Sequence, residues 1–474
     1  MNSTSHFRAA HRLNAPLAWV VIILGLALPS VLAQDPAKQG DMDASDLLGE
    51  FDFGPPANLP PTEPVAPADP KKWEIDGFLR SDLSYTFAGD APAPGQPDYR
   101  GITKLRTTLQ LEVPVRMSPK WNGFVSGQFF YDFAYALKDR RNFSERVLDL
   151  YEDQAELREA YLSGSPWQGV DIKLGRQISV WGAADYVRVV DVLNPLDNRE
   201  PGLVDIEDLR LPVTMSRIDF SWDRWTLSGI AVHEVDFGRQ PVFNGQFYPF
   251  SVAPPREFQP SESLANTEVA VSLTGSLPGL DLGLYYAYFY DDIPHAETVG
   301  GIPRLDHSRL SMTGLSVNGV TGNWGWKAET AWVNGLEFNN LPSERLSRLD
   351  ALAGLEYSGF KDTTVIFEVV NRHHLDFSPV LRAAPDFQNE NLTQYVLSAR
   401  RTFLRERLSL YSICSFFGAG LQRGSFQRFS AEYELRDGLA LTMGVLFFHT
   451  GDQGGVPDTY EDNDILFMQA KYSF

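Results

Sequence analysis

The sequence predicts an all-β chain: a transmembrane, antiparallel, up-and-down β-barrel of about 16 or 18 strands, whose third outer loop folds into the lumen. Three observations predict it. A short apolar stretch near the N-terminus is followed by small residues, segments of alternating apolar and polar residues succeed one another along most of the chain, and the links between those segments alternate between short and long.

The N-terminal elements come first. Arg8 and Arg12 precede an unbroken apolar run from Leu17 to Leu28, and Val31-Leu32-Ala33 supplies small residues after it. Residues 1–33 therefore read as a cleaved signal peptide, with the mature chain starting at Gln34. The run is too short for a membrane-spanning helix, which needs about 20 residues. No cysteine stands at the cleavage point, which excludes a lipoprotein. Residues 34–72 read as a disordered periplasmic tail, acidic at Asp41, Asp43, Asp46, Glu50 and Asp52 and then proline-rich from Pro55 to Pro70. Within it, the segment 47–53 (Leu47 to Phe53) is apolar enough to dock on a periplasmic exporter component.

Residues 73–474 carry the barrel. Gly77, Leu79, Ser81, Leu83, Tyr85 and Phe87 share one face of the first segment, with Arg80 and Asp82 on the other. Leu105, Thr107, Leu109, Leu111 and Val113 then alternate with Lys104, Arg106, Gln110 and Glu112. Leu280, Leu282, Leu284, Tyr286, Tyr288 and Tyr290 form a row, and Leu349 to Tyr357 alternate with Arg348, Asp350 and Glu356. Eighteen such segments centre near residues 81, 108, 129, 158, 174, 219, 231, 271, 286, 314, 328, 352, 368, 397, 411, 430, 443 and 469. Tight links fall at Ser118-Pro119-Lys120, Ser165-Pro166, Asp223-Arg224, Pro278-Gly279, Thr321-Gly322, Gly359-Phe360-Lys361, Arg405-Glu406 and Asp437-Gly438. Long loops lie between them, at 138–152, 181–213, 238–263, 292–308, 373–390 and 450–463. Short periplasmic turns and long extracellular loops are the signature of an outer-membrane barrel. Apolar faces then meet lipid, and a polar interior carrying Arg80, Asp82, Lys104, Arg106, Glu112, Arg158, Lys173, Arg217, Asp219, Lys327, Glu329, Arg348, Asp350, Glu368, Arg400, Arg428 and Lys471 needs water or tight pairing.

The last strand alternates Leu466, Met468, Ala470, Tyr472 and Phe474 against Gln469, Lys471 and Ser473, with Phe467 the one apolar intruder. Met468, Ala470, Tyr472 and the terminal Phe474 resemble the signal by which the outer-membrane assembly machinery recognises barrels.

The segment 181–213 is the third outer loop and the constriction candidate. Its acids Asp205, Glu207 and Asp208 are expected to face the wall cations Lys104, Arg106, Arg158, Lys173, Arg176 and Arg217, setting up a transverse field at the narrowest point. A structural plug that never conducts is the other reading of the same loop.

The run Leu174-Gly175-Arg176-Gln177, followed by Val180-Trp181-Gly182, Val190-Asp191-Val192-Leu193-Asn194-Pro195 and Asp205-Ile206-Glu207-Asp208, resembles a family of proteobacterial outer-membrane barrels catalogued as domain of unknown function 1302. The likeness is best over residues 150–220. It implies a large barrel, often encoded beside efflux-type exporters, and no established substrate. The Leu-Gly-Arg-Gln strand is also similar to one in alginate-export porins, from which the acidic balance of this chain departs.

Composition limits the remaining classes. Lys and Arg number 41 against 61 Asp and Glu, a net charge of −20 that argues against nucleic acid as a partner. The single Cys414 leaves no disulfide framework. An enzyme is not expected: His6 and His11 leave with the signal peptide, His295, His307, His373 and His374 fall in or beside loops, and His233 and His449 lie near strand ends without a recognisable serine motif. No spacing suggests a metal site, and no cofactor is implied. A plugged active transporter would need a folded domain ahead of the barrel. The expected function is a porin-like channel passing small solutes across the outer membrane of a Gram-negative bacterium, in contact with the lipid bilayer and lipopolysaccharide. An export barrel serving a periplasmic and inner-membrane efflux system is the alternative. Solute, direction and assembly as a homotrimer stay open.

Overall fold

The computed structural model describes residues 74–89, 91–204, 209–250, 252–383, 386–453, 457 and 460–474. The expected signal peptide and tail, including the segment 47–53, lie outside the described residues, and so do Asp205, Glu207 and Asp208.

The strands are β1 (Asp76–Thr86), β2 (Gly101–Ser118), β3 (Trp121–Asp132), β4 (Asp153–Trp167), β5 (Val170–Gln177), β6 (Val213–Trp222) and β7 (Trp225–Val232). There follow β8 (Arg256–Glu257), β9 (Glu268–Leu277), β10 (Leu280–Tyr290), β11 (His295–Val299), β12 (Ile302–Asp306), β13 (Arg309–Thr321) and β14 (Trp324–Phe338). The last are β15 (Leu341–Phe360), β16 (Thr363–Leu375), β17 (Asn391–Phe403), β18 (Leu408–Phe417), β19 (Ser425–Arg436), β20 (Leu439–His449) and β21 (Ile465–Ser473). β8, β11 and β12 make a small separate sheet, and the other eighteen form one. Each of the eighteen pairs antiparallel with its sequence neighbour, and β21 pairs with β1, Phe78 opposite Ser473 through Thr86 opposite Ile465, so the sheet closes. Closure satisfies every ladder, as a β-structure in a bilayer requires. All eighteen segments expected from alternation fall on these strands, which settles the count at eighteen.

One end of the barrel carries tight turns. Two-residue links join β4 to β5, β6 to β7, β9 to β10, β13 to β14, β15 to β16 and β19 to β20. Positive φ at Gly169, Asp223, Gly279, Gly322, Asp362 and Gly438 lets each chain reverse. One expected turn is misplaced: Ser165-Pro166 lies inside β4, and Gln168-Gly169 makes the reversal. The opposite end carries the long connections. That between β3 and β4 holds α1 (Ala134–Leu137) and α2 (Glu145–Tyr151), the latter capped by Ser144, whose hydroxyl accepts from the Val147 N–H at 3.3 Å.

The outer face is an apolar belt including Leu79, Leu105, Leu109, Leu284 and Leu355, all exposed to the surroundings. Exposed Trp167, Trp222, Trp324, Phe360, Tyr472 and Phe474 ring the short-turn end, and Tyr85, Phe129, Tyr286, Tyr288 and Trp332 lie toward the other. Two aromatic girdles around an apolar band mark a membrane barrel. Among the described residues no helix is long and apolar enough to cross a membrane.

Candidate functional site

The strand registers carry one inner face round the barrel. Arg80 stands beside Lys471 and Asp82 beside Arg106, Lys173 faces Arg217, Lys327 faces Gly354, which faces Glu368, and Arg348 faces His374. These are the positions whose polar alternation the sequence shows. The inner face is not uniformly polar, however. Val213 and Met215 of β6, Ile230 and Val232 of β7, Ala287 of β10, Met312 of β13, Ala331 and Val333 of β14, Leu352 of β15 and Val370 of β16 form a buried apolar cluster. Against it pack Trp181, Val187, Val189, Val190 and Leu193 of the segment between β5 and β6.

The residues of the family-like motif build that segment. At Gly175 φ is +125°, and a Cβ would stand 2.2 Å from the Ala160 carbonyl oxygen. Gln177 is buried and donates to the Met215 carbonyl at 3.1 Å. Asn194 clasps the base of the loop: its side-chain oxygen accepts from the Ser179 N–H at 2.8 Å, and its amide donates to the Leu211 carbonyl at 2.8 Å. Asp191 accepts from the Trp181 N–H at 3.2 Å and from Arg210 Nε at 2.8 Å. At Gly182 φ is +84°, and a Cβ would meet the Glu329 carboxylate at 2.4 Å.

Two wall carboxylates then hold the loop backbone. Glu329 of β14 accepts from the N–H groups of Ala183 (2.5 Å), Ala184 (3.0 Å) and Val190 (3.4 Å). Glu368 of β16 accepts from Asp185 (2.8 Å) and Tyr186 (3.0 Å). Lys327 pairs with Asp185 and lies 3.8 Å from Glu368, and the Tyr186 hydroxyl meets Ser398 of β17 at 2.6 Å. Glu329 and Glu368 each sit five residues into their strands from the short-turn end.

Farther along, the same segment is bound to other strands. Glu200 accepts from Lys104 at 2.6 Å and from Arg106 at 3.0 Å, both on β2. Burial opposes ionisation of Glu200, but the two cations hold its carboxyl well below the usual carboxylate range. Asp197 pairs with Arg199 (2.6 Å) and Arg239 (3.4 Å), which likewise hold it low against burial. Leu203 packs in the cluster of Phe247, Leu446, Phe448, Ile465 and Phe467, so Phe467 is an inner core residue beneath the loops. Following the ring through β3, β4, β5, β6, β7, β9, β10 and β13, β2 and β14 are nine steps apart in a sheet of eighteen strands.

The six wall cations expected from sequence do not act as one set. Lys104 and Arg106 meet at Glu200, and Arg106 also lies 3.3 Å from Asp132. Arg158 donates to the Arg210 carbonyl of the loop at 3.4 Å. Lys173 lies over the Tyr161 ring at 3.8 Å, and Arg217 pairs with Asp219 at 2.9 Å. Arg176 alternates with Lys173 onto the opposite face and is engaged by Glu234. The sequence reading missed Glu200 as a partner, and it took Glu329 and Glu368 as interior charges without seeing that they accept from loop amides. It also missed a contact between Ser216 Oγ and His233 Nε2 at 2.9 Å. Among the described residues no carboxylate is bonded to that imidazole, and no three His, Cys, Asp or Glu side chains cluster to hold a metal.

The model of the family described as protein of unknown function (DUF1302) matches residues 95–474. The chain belongs to this family. The match extends the likeness seen at residues 150–220 over nearly the whole barrel. No curated protein matches the sequence. Among solved structures, OccK9 (OpdG) of Pseudomonas aeruginosa is 10% identical over 85% of this chain and 97% of that one, with a TM-score of 0.51. OccAB4 of Acinetobacter baumannii is 12% identical over 85% of this chain and 98% of that one, with a TM-score of 0.49. The likeness to OccK9 is one of fold, and the DUF1302 chain has the barrel of Gram-negative outer-membrane porins.

Proposed function

We propose that this DUF1302 barrel is a channel for small hydrophilic solutes, and that the segment between β5 and β6 is a strap across the lumen that sets its narrowest point. One observation carries the reading. A single loop is bonded to Glu329 and Glu368 at one place and to Lys104 and Arg106 at another, on strands nine and seven steps apart in the ring of eighteen. A continuous segment that reaches both crosses the space between them. Its apolar residues cover the apolar inner wall, which leaves Arg80, Asp82, Glu112, Arg428 and Lys471 of β1, β2, β19 and β21 to line a wet path beside it. Asp205, Glu207 and Asp208 follow Glu200 by a few residues, and their proposed role is to oppose the wall cations and set ion selectivity.

Reconstitution of the barrel in a planar bilayer tests this. Discrete current steps are expected, and Glu207→Lys with Asp208→Lys should move the reversal potential in a salt gradient toward anion preference. An unmoved potential removes the three acids from the path. A folded barrel that stays silent sinks the channel reading and favours the export barrel, with residues 47–53 as its docking segment.

A further inference from the structure

The outer rim beside β2 and β3 carries a feature the channel reading leaves unused. Phe129 on the outer face of β3 belongs to the lipid-facing belt, and beyond the strand end the apolar line continues as Phe133 and Leu137, 46% and 65% exposed. The Phe133 N–H donates to the Leu105 carbonyl at 2.9 Å, which fixes its height at the top of that belt. Cations follow at once. Lys138 Nζ donates to the carbonyls of Asp98 (2.8 Å) and Arg100 (2.7 Å), holding it just above the outward Ile102 of β2. Arg140 reaches Glu152 at 2.7 Å through Nη2, and Arg141 meets Asp139 at 2.6 Å, while their side chains stay 59% and 88% exposed.

Three cations against one acid in residues 138–141 run opposite to a chain of net charge −20. Exposed pairs such as Arg141–Asp139 are worth little and yield readily to a stronger anion. Leu137 exposed to water would forfeit its burial energy, but set among acyl chains it loses nothing. Apolar side chains below and guanidinium and ammonium groups at headgroup height match a ligand with acyl chains below and phosphates above. The long-loop end of such a barrel faces the outer leaflet, where that ligand is a glycolipid.

We propose that Phe133, Leu137, Lys138, Arg140 and Arg141 seat the phosphorylated glycolipid of the outer leaflet, its acyl chains on the two apolar residues and its phosphates on the three cations. The seat is independent of whether the lumen conducts.

Binding of diphosphoryl lipid A to the detergent-solubilised full chain, measured by native mass spectrometry, tests it. Lys138→Gln with Arg141→Gln leaves the Arg140–Glu152 pair intact and should weaken retention about tenfold or more, since each cation near such a surface contributes on the order of 1 kcal/mol. Leu137→Ser should weaken it too, and fully dephosphorylated lipid A should bind wild type and variant equally poorly. Heat-modifiable mobility on a gel shows that the variants are folded. Equal retention of diphosphoryl lipid A by wild type and the double variant overturns the proposal. So does displacement of lipid A by millimolar inorganic phosphate, which would reveal an anion site indifferent to lipid.

Discussion

Releasing the strap is the perturbation that bears most on the channel reading. Glu329→Gln with Glu368→Gln removes both charges from the carboxylates that accept from Ala183, Ala184, Val190, Asp185 and Tyr186. A glutamine keeps one acceptor oxygen and turns an N–H₂ group toward backbone donors. Hydrogen bonds to a charged acceptor contribute about 1.5–3 kcal/mol each, so losing roughly one per residue outright and weakening the rest costs about 3–6 kcal/mol in all. The strap also buries Trp181, Val187, Val189, Val190 and Leu193. At about 1.5–3 kcal/mol per fully buried side chain, those residues retain it with at least about 8 kcal/mol. The double variant should therefore keep its strap seated but loose. Single-channel records should show excess open-state noise at near-normal mean conductance. Adding Val190→Asp, which puts an unpaired charge into a fully buried site, should tip the balance and raise both conductance and the size limit for permeating sugars. A triple variant that folds, as judged by heat-modifiable mobility, and yet conducts with wild-type steps and size limit would refute the reasoning.

Three other perturbations follow from particular groups. Glu200→Gln leaves Lys104 and Arg106 without their shared acid, and breaking such a buried pair should lower unfolding stability by about 3–5 kcal/mol, read by urea titration in detergent. Because Glu200 is held below the usual carboxylate range, its contribution is complete at neutral pH and is lost only as pH falls through that depressed value; the variant should lack this acid-side loss. Asp292, in the loop after β10, is pushed up to about 7 by burial, with Asp291 and Asp236 adding to the rise against Arg188. An acid raised this way binds its proton more tightly folded than unfolded, so stability should fall between about pH 4 and 7, by at most about 4 kcal/mol. Asp292→Asn should flatten that decline, and parallel melting curves of variant and wild type across the window would count against it. Deletion of Phe474, whose N–H and carbonyl both bond to Gly77 beside the closing β21–β1 seam, should reduce the fraction of chain assembled in the outer membrane, read from membrane fractions by heat-modifiability; an unchanged fraction removes it from the proposed assembly signal.

The barrel was legible because lipid imposes a local rule. Every wall residue faces either bilayer or lumen, so the alternation of Leu105 to Val113 against Lys104 to Glu112 is complete within one strand and needs no distant partner. Positive φ at a turn is a weaker signal. Ser165-Pro166 has turn chemistry, yet Gln168-Gly169 makes the reversal, since Gly169 supplies the left-handed residue that a two-residue link needs. Phe467 looked like a flaw in the pattern because the rule assumes a wet interior, and at that height Leu203 and Phe247 pack in one apolar cluster with it on the inner wall.

The strap is legible only in part, for the opposite reason. Its motif residues act mostly within the segment: Asp191 reaches Trp181, ten residues away, and Asn194 reaches Ser179 and Leu211, 15 and 17 residues away, while Gly182 already answers to Glu329 on the far wall. Its anchors act across the ring. Glu200 lies 96 residues from Lys104, and Ala184 lies 145 from Glu329, distances over which no periodicity connects the partners. A carboxylate on an inner wall announces that something must satisfy it, and five backbone amides of one loop are as sufficient as water or an arginine. That is why interior charge alone could not distinguish a solvated wall from a latched one. It also means that two independent holds have to fail before the loop leaves the wall, the Glu329 and Glu368 carboxylates and the buried Val190 with its apolar neighbours, which is why Val190→Asp is needed beside the two glutamine substitutions.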